Sequence, residues 1–149
     1  MRAVVQRVTE ADVIVDKVIT GSIKKGFMVM IGVEENDDEN DAAYMAGKIS
    51  GLRIFEDSEE KMNLSIKDVG GQILAVSQFT LLGDARKGKR PSFIRAARPE
   101  EANRLYRQFI DLIEKENIHV EEGVFQAEML VRIQNDGPVT ILLDSRKAF

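Results

Sequence analysis

Apolar, strand-like runs open and close this chain, and most are separated by turns too short to hold a helical crossover. That pattern restricts it to an α+β fold with a mixed, largely antiparallel sheet and two main helices, not a doubly wound one. Val4, Val5 and Val8 begin a β-rich first third that continues through Val13-Ile14-Val15, Val18-Ile19 and Phe27-Met28-Val29-Met30-Ile31. Three or four strands fit there, with Gly21 and Gly26 expected as breaks. Asn36 or Asp37 can cap a helix to about Ser50, since Ala42, Ala43, Ala46 and Ile49 recur at helical spacing and Gly51 is a natural stop. A short strand Arg53-Ile54-Phe55, a polar turn at 57–61 and a Gly70-Gly71 break lead to the strand Gln72-Ile73-Leu74-Ala75-Val76. Pro99 suits the first turn of a second helix to about Glu116, with Ala102, Leu105, Phe109, Leu112 and Ile113 as its buried stripe. After His119, strands are expected at 124–128, 129–134 and 139–143.

With 149 residues and 44% hydrophobic side chains, one domain spanning 1–149 can bury a core without staples. There is no cysteine and one histidine, which excludes disulfides, thiolate metal sites and a Cys nucleophile; no metal or cofactor is expected. No signal-peptide pattern and no apolar run of about 20 residues appear, so a soluble, cytoplasmic protein without membrane contact is expected. The net charge of −4 argues against indiscriminate nucleic-acid binding. Acids crowd residues 34–41 and 57–60 and read as solvated faces, whereas Arg86, Lys87, Lys89 and Arg90, followed by Arg95 and Arg98, form the one plausible phosphate-contacting patch.

Two polar interruptions of strands stand out: Ser77-Gln78-Phe79-Thr80, and Asn135-Asp136-Gly137-Pro138-Val139-Thr140. Taken locally, the second reads as a hairpin turn, because Asp-Gly between alternating runs is a strong hairpin signal. The other reading rests on Gly137-Pro138, since an X-Pro bond is where a cis peptide is cheap. The usual catalytic menu is absent: no Gly-x-Ser-x-Gly elbow, no P-loop, and a lone His119 beside Val120 that fits a structural or surface role. What remains are hydroxyls, amides and backbone groups, at Ser77, Gln78, Thr80, Asn135 and Thr140, with Arg7 and Arg95 as orienting charges. Such groups suit oxyanion stabilisation and positioning, and hence an activated substrate.

These segments, together with Gln6-Arg7-Val8, Lys61-Met62-Asn63-Leu64, Arg90-Pro91-Ser92-Phe93 and Gly123-Val124-Phe125, resemble the D-aminoacyl-tRNA deacylases of bacterial and eukaryotic type over essentially the whole chain. The resemblance implies a barrel-like core, a homodimer, and hydrolysis of the ester joining an amino acid to the 3′-terminal adenosine of tRNA. The partners implied are aminoacyl-tRNA, through that adenosine and the acceptor stem, and a second copy of the chain. Ser77, Gln78, Phe79 and Thr80 would form the catalytic segment. Gly137 and Pro138, joined by a cis bond, would complete the other subunit's pocket and exclude L-residues while admitting D-residues and glycine. Arg7 would fix that segment beside Asn135, and Phe125 and Met129 would border the adenosine. Arg86, Lys87, Lys89, Arg90 and Arg95 would meet tRNA phosphates. Thr80 could act as nucleophile, but no neighbouring base is evident; a terminal 2′-hydroxyl that assists water is the preferred alternative. The rivals are a non-catalytic RNA-binding module using the basic patch, and a structural dimer in which Gly-Pro is only a turn. Neither explains both polar segments.

Overall fold

The computed structural model describes residues Met1–Phe149. Eight strands and two helices run in the order β1 Arg2–Val15, β2 Val18–Ile23, β3 Gly26–Gly32, α1 Glu39–Gly51, β4 Phe55–Glu56, β5 Met62–Leu64, β6 Gln72–Ser77, α2 Pro99–Lys115, β7 Val120–Glu122 and β8 Leu130–Asp144. Strand β1 is the organising element. One of its edges pairs antiparallel with β3 over its first half and β2 over its second, while the other pairs with β8 over nearly its full length. The sheet extends from β3 to β6 and β7 through parallel pairs, so it is mixed, as the α+β reading requires.

Alternation along the central strands sends residues into two cores. Phe27, Val29, Ile31, Ile73 and Ala75 face α1 and α2 in the larger one, whereas Met28, Leu74 and Val76 join Val8, Ala11, Val13 and Ile23 inside the curl of the sheet. Burial on both faces explains why β3 and β6 are nearly continuous apolar runs. The curl is almost closed. A Cβ added at Gly21 would lie 2.6 Å from the Glu122 carbonyl oxygen, so β2 approaches β7 at a seam that admits no side chain.

Helix α2 begins at Pro99 and buries Leu105, Tyr106, Phe109, Ile110 and Ile113, close to the expected stripe. Tyr106 Oη donates to the Ala75 carbonyl at 2.9 Å, tying the helix to β6, and burial pushes the phenol's pKa above its ordinary value. The cap of α1 is Asp38, not Asn36 or Asp37: its carboxylate accepts from the Asn40 and Asp41 N–H groups, and the Asp41 side chain accepts in return from Asp38 N–H. Asn36 lies at positive φ, and the Asp37 carboxylate accepts instead from Glu34 N–H. Asp38→Ala should cost about 1 kcal/mol, seen as a melting temperature lowered by about 3 °C in a thermal scan.

Four other expectations need correction. The two N-terminal valine runs belong to one strand, and Gly21 lies inside β2 beside a register shift instead of ending a strand. The strand expected at 53–55 is displaced to Phe55–Glu56, where it pairs with Met62–Leu64. Residues 124–128 are not a strand: Gln126 takes φ 64° and Ala127 N–H turns back to the Val124 carbonyl at 3.1 Å. Nor does Asn-Asp-Gly-Pro make a hairpin. Val8 faces Asn135 and Gln6 faces Thr140, so β8 runs on in one direction and bulges at 136–139 opposite Arg7. Pro138 is tolerated there because β8 is an edge strand, paired only with β1. No helix is long and apolar enough to cross a membrane.

Candidate active site

Strand β6 ends at Ser77, and the Gln78 N–H still donates to the Ile31 carbonyl at 2.8 Å, holding the exit of the chain against β3. Residues Phe79–Leu82 then form a single 3₁₀ turn. The N–H groups of Phe79 and Thr80 open that turn and have no partner within it, which leaves two adjacent backbone donors. Gln78 Nε2 donates to Thr80 Oγ1 at 3.0 Å, fixing the hydroxyl and the amide together. Phe79 is half-exposed and meets Phe93 edge to face, with centroids 5.2 Å apart.

This turn forms one wall of a cavity of about 550 Å³. Phe93, Ala96, Ala97, Arg98, Pro99 and Ala102 contribute a second stretch of the lining, and Phe125, Gln126, Ala127 and Met129 a third. A Cβ at Gly123 would lie 2.7 Å from the Met129 sulfur, so the glycine gives that side chain room against the backbone. The lining includes no Asp, Glu, His, Lys, Cys or Tyr; its sole charged member is Arg98. A cavity of this composition can orient an ester and stabilise an oxyanion, but it holds no protein group able to remove a proton near neutrality. No cluster of three or more His, Cys, Asp or Glu side chains suited to a metal ion occurs in the chain.

The structure therefore gathers Ser77, Gln78, Phe79, Thr80, Phe125 and Met129 around one space, and leaves Arg7, Asn135, Gly137 and Pro138 outside its lining. Arg7 is buried. Its Nη1 donates to the Ile54 carbonyl at 2.7 Å, and its Nε lies 3.0 Å from the Asp136 carboxylate. Gly137 has φ 114°, and a Cβ there would stand 2.7 Å from Val139 Cγ2 and 3.1 Å from Arg7 Nη2. The Gly137-Pro138 peptide is cis. Thr140 Oγ1 is occupied by Gln6.

The basic residues divide. Asp84 and Ser92 exchange backbone hydrogen bonds at the neck of a loop, and Arg86 is bound to Asp84, whose carboxyl its guanidinium holds well below the usual range. Lys87, Lys89 and Arg90 are exposed at the loop's tip and form no ion pair. Arg95 is paired with the buried Glu34. His119 is exposed beside Glu121, 2.8 Å away, in the surface role expected of it.

Sequence reasoning assigned no site role to Val33, Phe93, Ala96, Ala97, Pro99, Ala102 or Gln126, all of which line the cavity. The available signal was the small residues Ala96, Ala97 and Ala102 flanking Pro99, which leave open space at the start of α2.

A family profile described as D-Tyr-tRNA(Tyr) deacylase matches residues 4–144. A protein named D-aminoacyl-tRNA deacylase from Koribacter versatilis (strain Ellin345) is 60% identical over all 149 residues of this chain and 100% of its own length. One of the same name from Kosmotoga olearia is also 60% identical, and one from Thermotoga petrophila 56%, both with full coverage of both chains. Among solved structures, one titled c-Myc DNA Unwinding Element Binding Protein is 40% identical, with a TM-score of 0.91 over 97% of this chain and 98% of that one. Another, titled as a probable eukaryotic D-amino acid tRNA deacylase, shares the fold at a TM-score of 0.76 with 17% identity, over 95% of this chain and 97% of that one.

Proposed function

This chain belongs to the D-Tyr-tRNA(Tyr) deacylase family, a family of ester hydrolases, and from that membership we propose that its cavity hydrolyses the ester of D-aminoacyl-tRNA and of mischarged Gly-tRNA, in the cytoplasm and without a metal. The products are tRNA and the free D-amino acid or glycine. The observation that carries the reading is a cavity without acid or base, bordered by two adjacent N–H donors at Phe79 and Thr80. An aminoacyl ester is activated enough to need positioning and charge stabilisation more than a strong base. Each oxyanion donor is worth about 2.7–4 kcal/mol to such a reaction.

In this reading, Phe79 and Thr80 N–H bind the developing oxyanion, and the ribose 2′-hydroxyl beside the ester assists the attacking water. Ser77 and Gln78 orient the substrate, Gln78 also holding Thr80 Oγ1 in place. Phe125 and Met129 border the terminal adenosine. Lys87, Lys89 and Arg90, at the tip of the 84–92 loop, meet acceptor-stem phosphates.

Chirality is tested by the Gly137-Pro138 segment of a second copy of the chain. Two observations support this: the segment bulges from an edge strand and lies outside the lining of its own cavity, and the buried Arg7 is paired with Asp136 within it. A fixed backbone rejects the wrong hand by collision, which is harder to evade than a missing side-chain contact.

The test is release of amino acid from D-Tyr-tRNA, L-Tyr-tRNA and Gly-tRNA after treatment of the protein with chelator. Loss of the D and Gly esters with the L ester spared is expected. Survival of all three with tRNA still bound would leave an RNA-binding module as the better account.

A further inference from the structure

The acidic run at 34–41 is not uniformly solvated: Glu34 and Asp37 are only 3% and 6% exposed. The Glu34 carboxylate is held from two sides, by Arg95 and by Arg146 Nη1 at 3.6 Å. Arg146 Nη2 also reaches the Asp37 carboxylate at 3.0 Å and donates to the Glu35 carbonyl at 2.7 Å. Around this cluster, Glu35 N–H donates to the Arg95 carbonyl at 2.8 Å, and Ala97 N–H to the Val33 carbonyl at 3.0 Å. The segment so docked carries Phe93, Ala96 and Ala97, which line the same cavity as Thr80. Two residues before Arg146, Asp144 accepts from Arg2 Nε at 3.1 Å, and Arg2 Nη1 donates at 3.3 Å to the Leu81 carbonyl in the turn that carries Phe79 and Thr80. The end of β8 thus reaches both walls of a cavity that none of its own residues lines.

We propose that Arg95 and Arg146, acting through Glu34, are positioning residues that hold the Phe93–Pro99 wall at a fixed distance from the catalytic turn. The proposal rests on reading that cavity as the deacylation site. It reassigns Arg95: its guanidinium is committed to a buried carboxylate and serves the width of the pocket instead of a tRNA phosphate. Removing either arginine leaves the buried Glu34 carboxylate with one partner, which favours its movement toward water and loosens the 93–97 segment docked against residues 33–35.

The experiment compares Arg95→Ala and Arg146→Ala, both at partly exposed positions, with wild type and Lys89→Ala. Substrates are D-aminoacyl-tRNA and the D-aminoacyl ester of adenosine alone. Each arginine variant should raise KM about ten- to a hundredfold on both substrates, since displacement of a positioning wall acts with or without the tRNA body. The kcat value should stay close to wild type, as expected when ground-state and transition-state binding are lost together. Amide hydrogen exchange at Glu35 and Ala97 should quicken about tenfold or more, a local opening that can be read without any activity assay. The slope of log affinity against log salt for uncharged tRNA should be unchanged by Arg95→Ala and lowered by about 0.7–0.9 by Lys89→Ala.

A loss confined to the tRNA substrate, with a reduced salt slope for Arg95→Ala, would make Arg95 a phosphate contact and overturn the proposal. Unchanged KM and unchanged exchange would overturn it as well. Should wild type turn over neither ester, the deacylase reading fails by itself, and exchange at Glu35 and Ala97 still decides whether the arginines hold the wall.

Discussion

Deacylation of a D-aminoacyl ester should fall about a thousandfold when the terminal adenosine carries hydrogen in place of its 2′-hydroxyl, within the 10²–10⁴ range that positioned proton transfer contributes. The expectation comes from the composition of the cavity wall. With no carboxylate, imidazole, amine, thiol or phenol in the lining, the protein has no group of its own to take a proton from water. The hydroxyls of Ser77 and Thr80 have no base in the lining to activate them, whereas the 2′-hydroxyl comes with the substrate, next to the ester itself. Thr80→Ala should cost much less, about tenfold to a hundredfold, because the residue's N–H remains and only the hydroxyl held by Gln78 is lost. Single-turnover rates on the two substrates with the two proteins separate the alternatives. Loss of about a thousandfold or more in Thr80→Ala on the natural ester, together with full activity of wild type on the deoxy substrate, would make Thr80 the nucleophile.

The second large effect is expected at Gly137. Its φ of 114° is one that L side chains rarely adopt, and an added Cβ would crowd Val139 and the Arg7 guanidinium. Gly137→Ala should therefore destabilise the protein by about 1–3 kcal/mol, the usual cost of a strained backbone position. Because Arg7 is buried and can retreat little, the crowding should also separate it from Asp136 and loosen the segment proposed to test chirality. Turnover of the D ester should fall at least about tenfold and the preference over the L ester should shrink, since specificity by collision depends on a wall that does not move. Denaturant titration and paired D and L release assays measure the two parts. A variant that loses stability yet keeps its full D-to-L ratio would identify the segment as a turn with no part in selection.

What could be read from the chain alone follows a physical divide between local and distant causes. Helix α2 was legible because Pro99, its early acids and its apolar stripe are all local signals, and β6 because one apolar run between Gly71 and a polar tetrapeptide has few other uses. The course of β8 was not. Asn-Asp-Gly-Pro favours a hairpin on its own, but β1 offers pairing partners on both sides of the interruption, and that distant ladder outweighs the turn. In the same way, the alternation at 124–128 looks like a strand until Gly123 and the positive φ of Gln126 fold it into the cavity's third wall. The Ser77–Thr80 tetrapeptide stood out because it follows a buried strand with polar groups. The small residues that line the cavity with it, and the buried Glu34 paired with Arg95, gave no such contrast, since an alanine or a glutamate in a charged run signals nothing by itself.

The pairing of β1 with β8 also constrains how the chain comes to be folded. Arg2 faces Asp144 and Val13 faces Val131, so one whole edge of the strand at the centre of the sheet waits for residues more than a hundred positions further along the chain. At about 5–20 residues per second, that edge remains open for several seconds or more while the rest of the chain emerges. Closing so long a loop before any contact rewards it places the step late and makes it slow. A β1–β3 sheet with an unsatisfied edge is therefore the intermediate most exposed to pairing with the wrong strand, and its lifetime, more than the stability of the finished fold, should govern the yield of active protein.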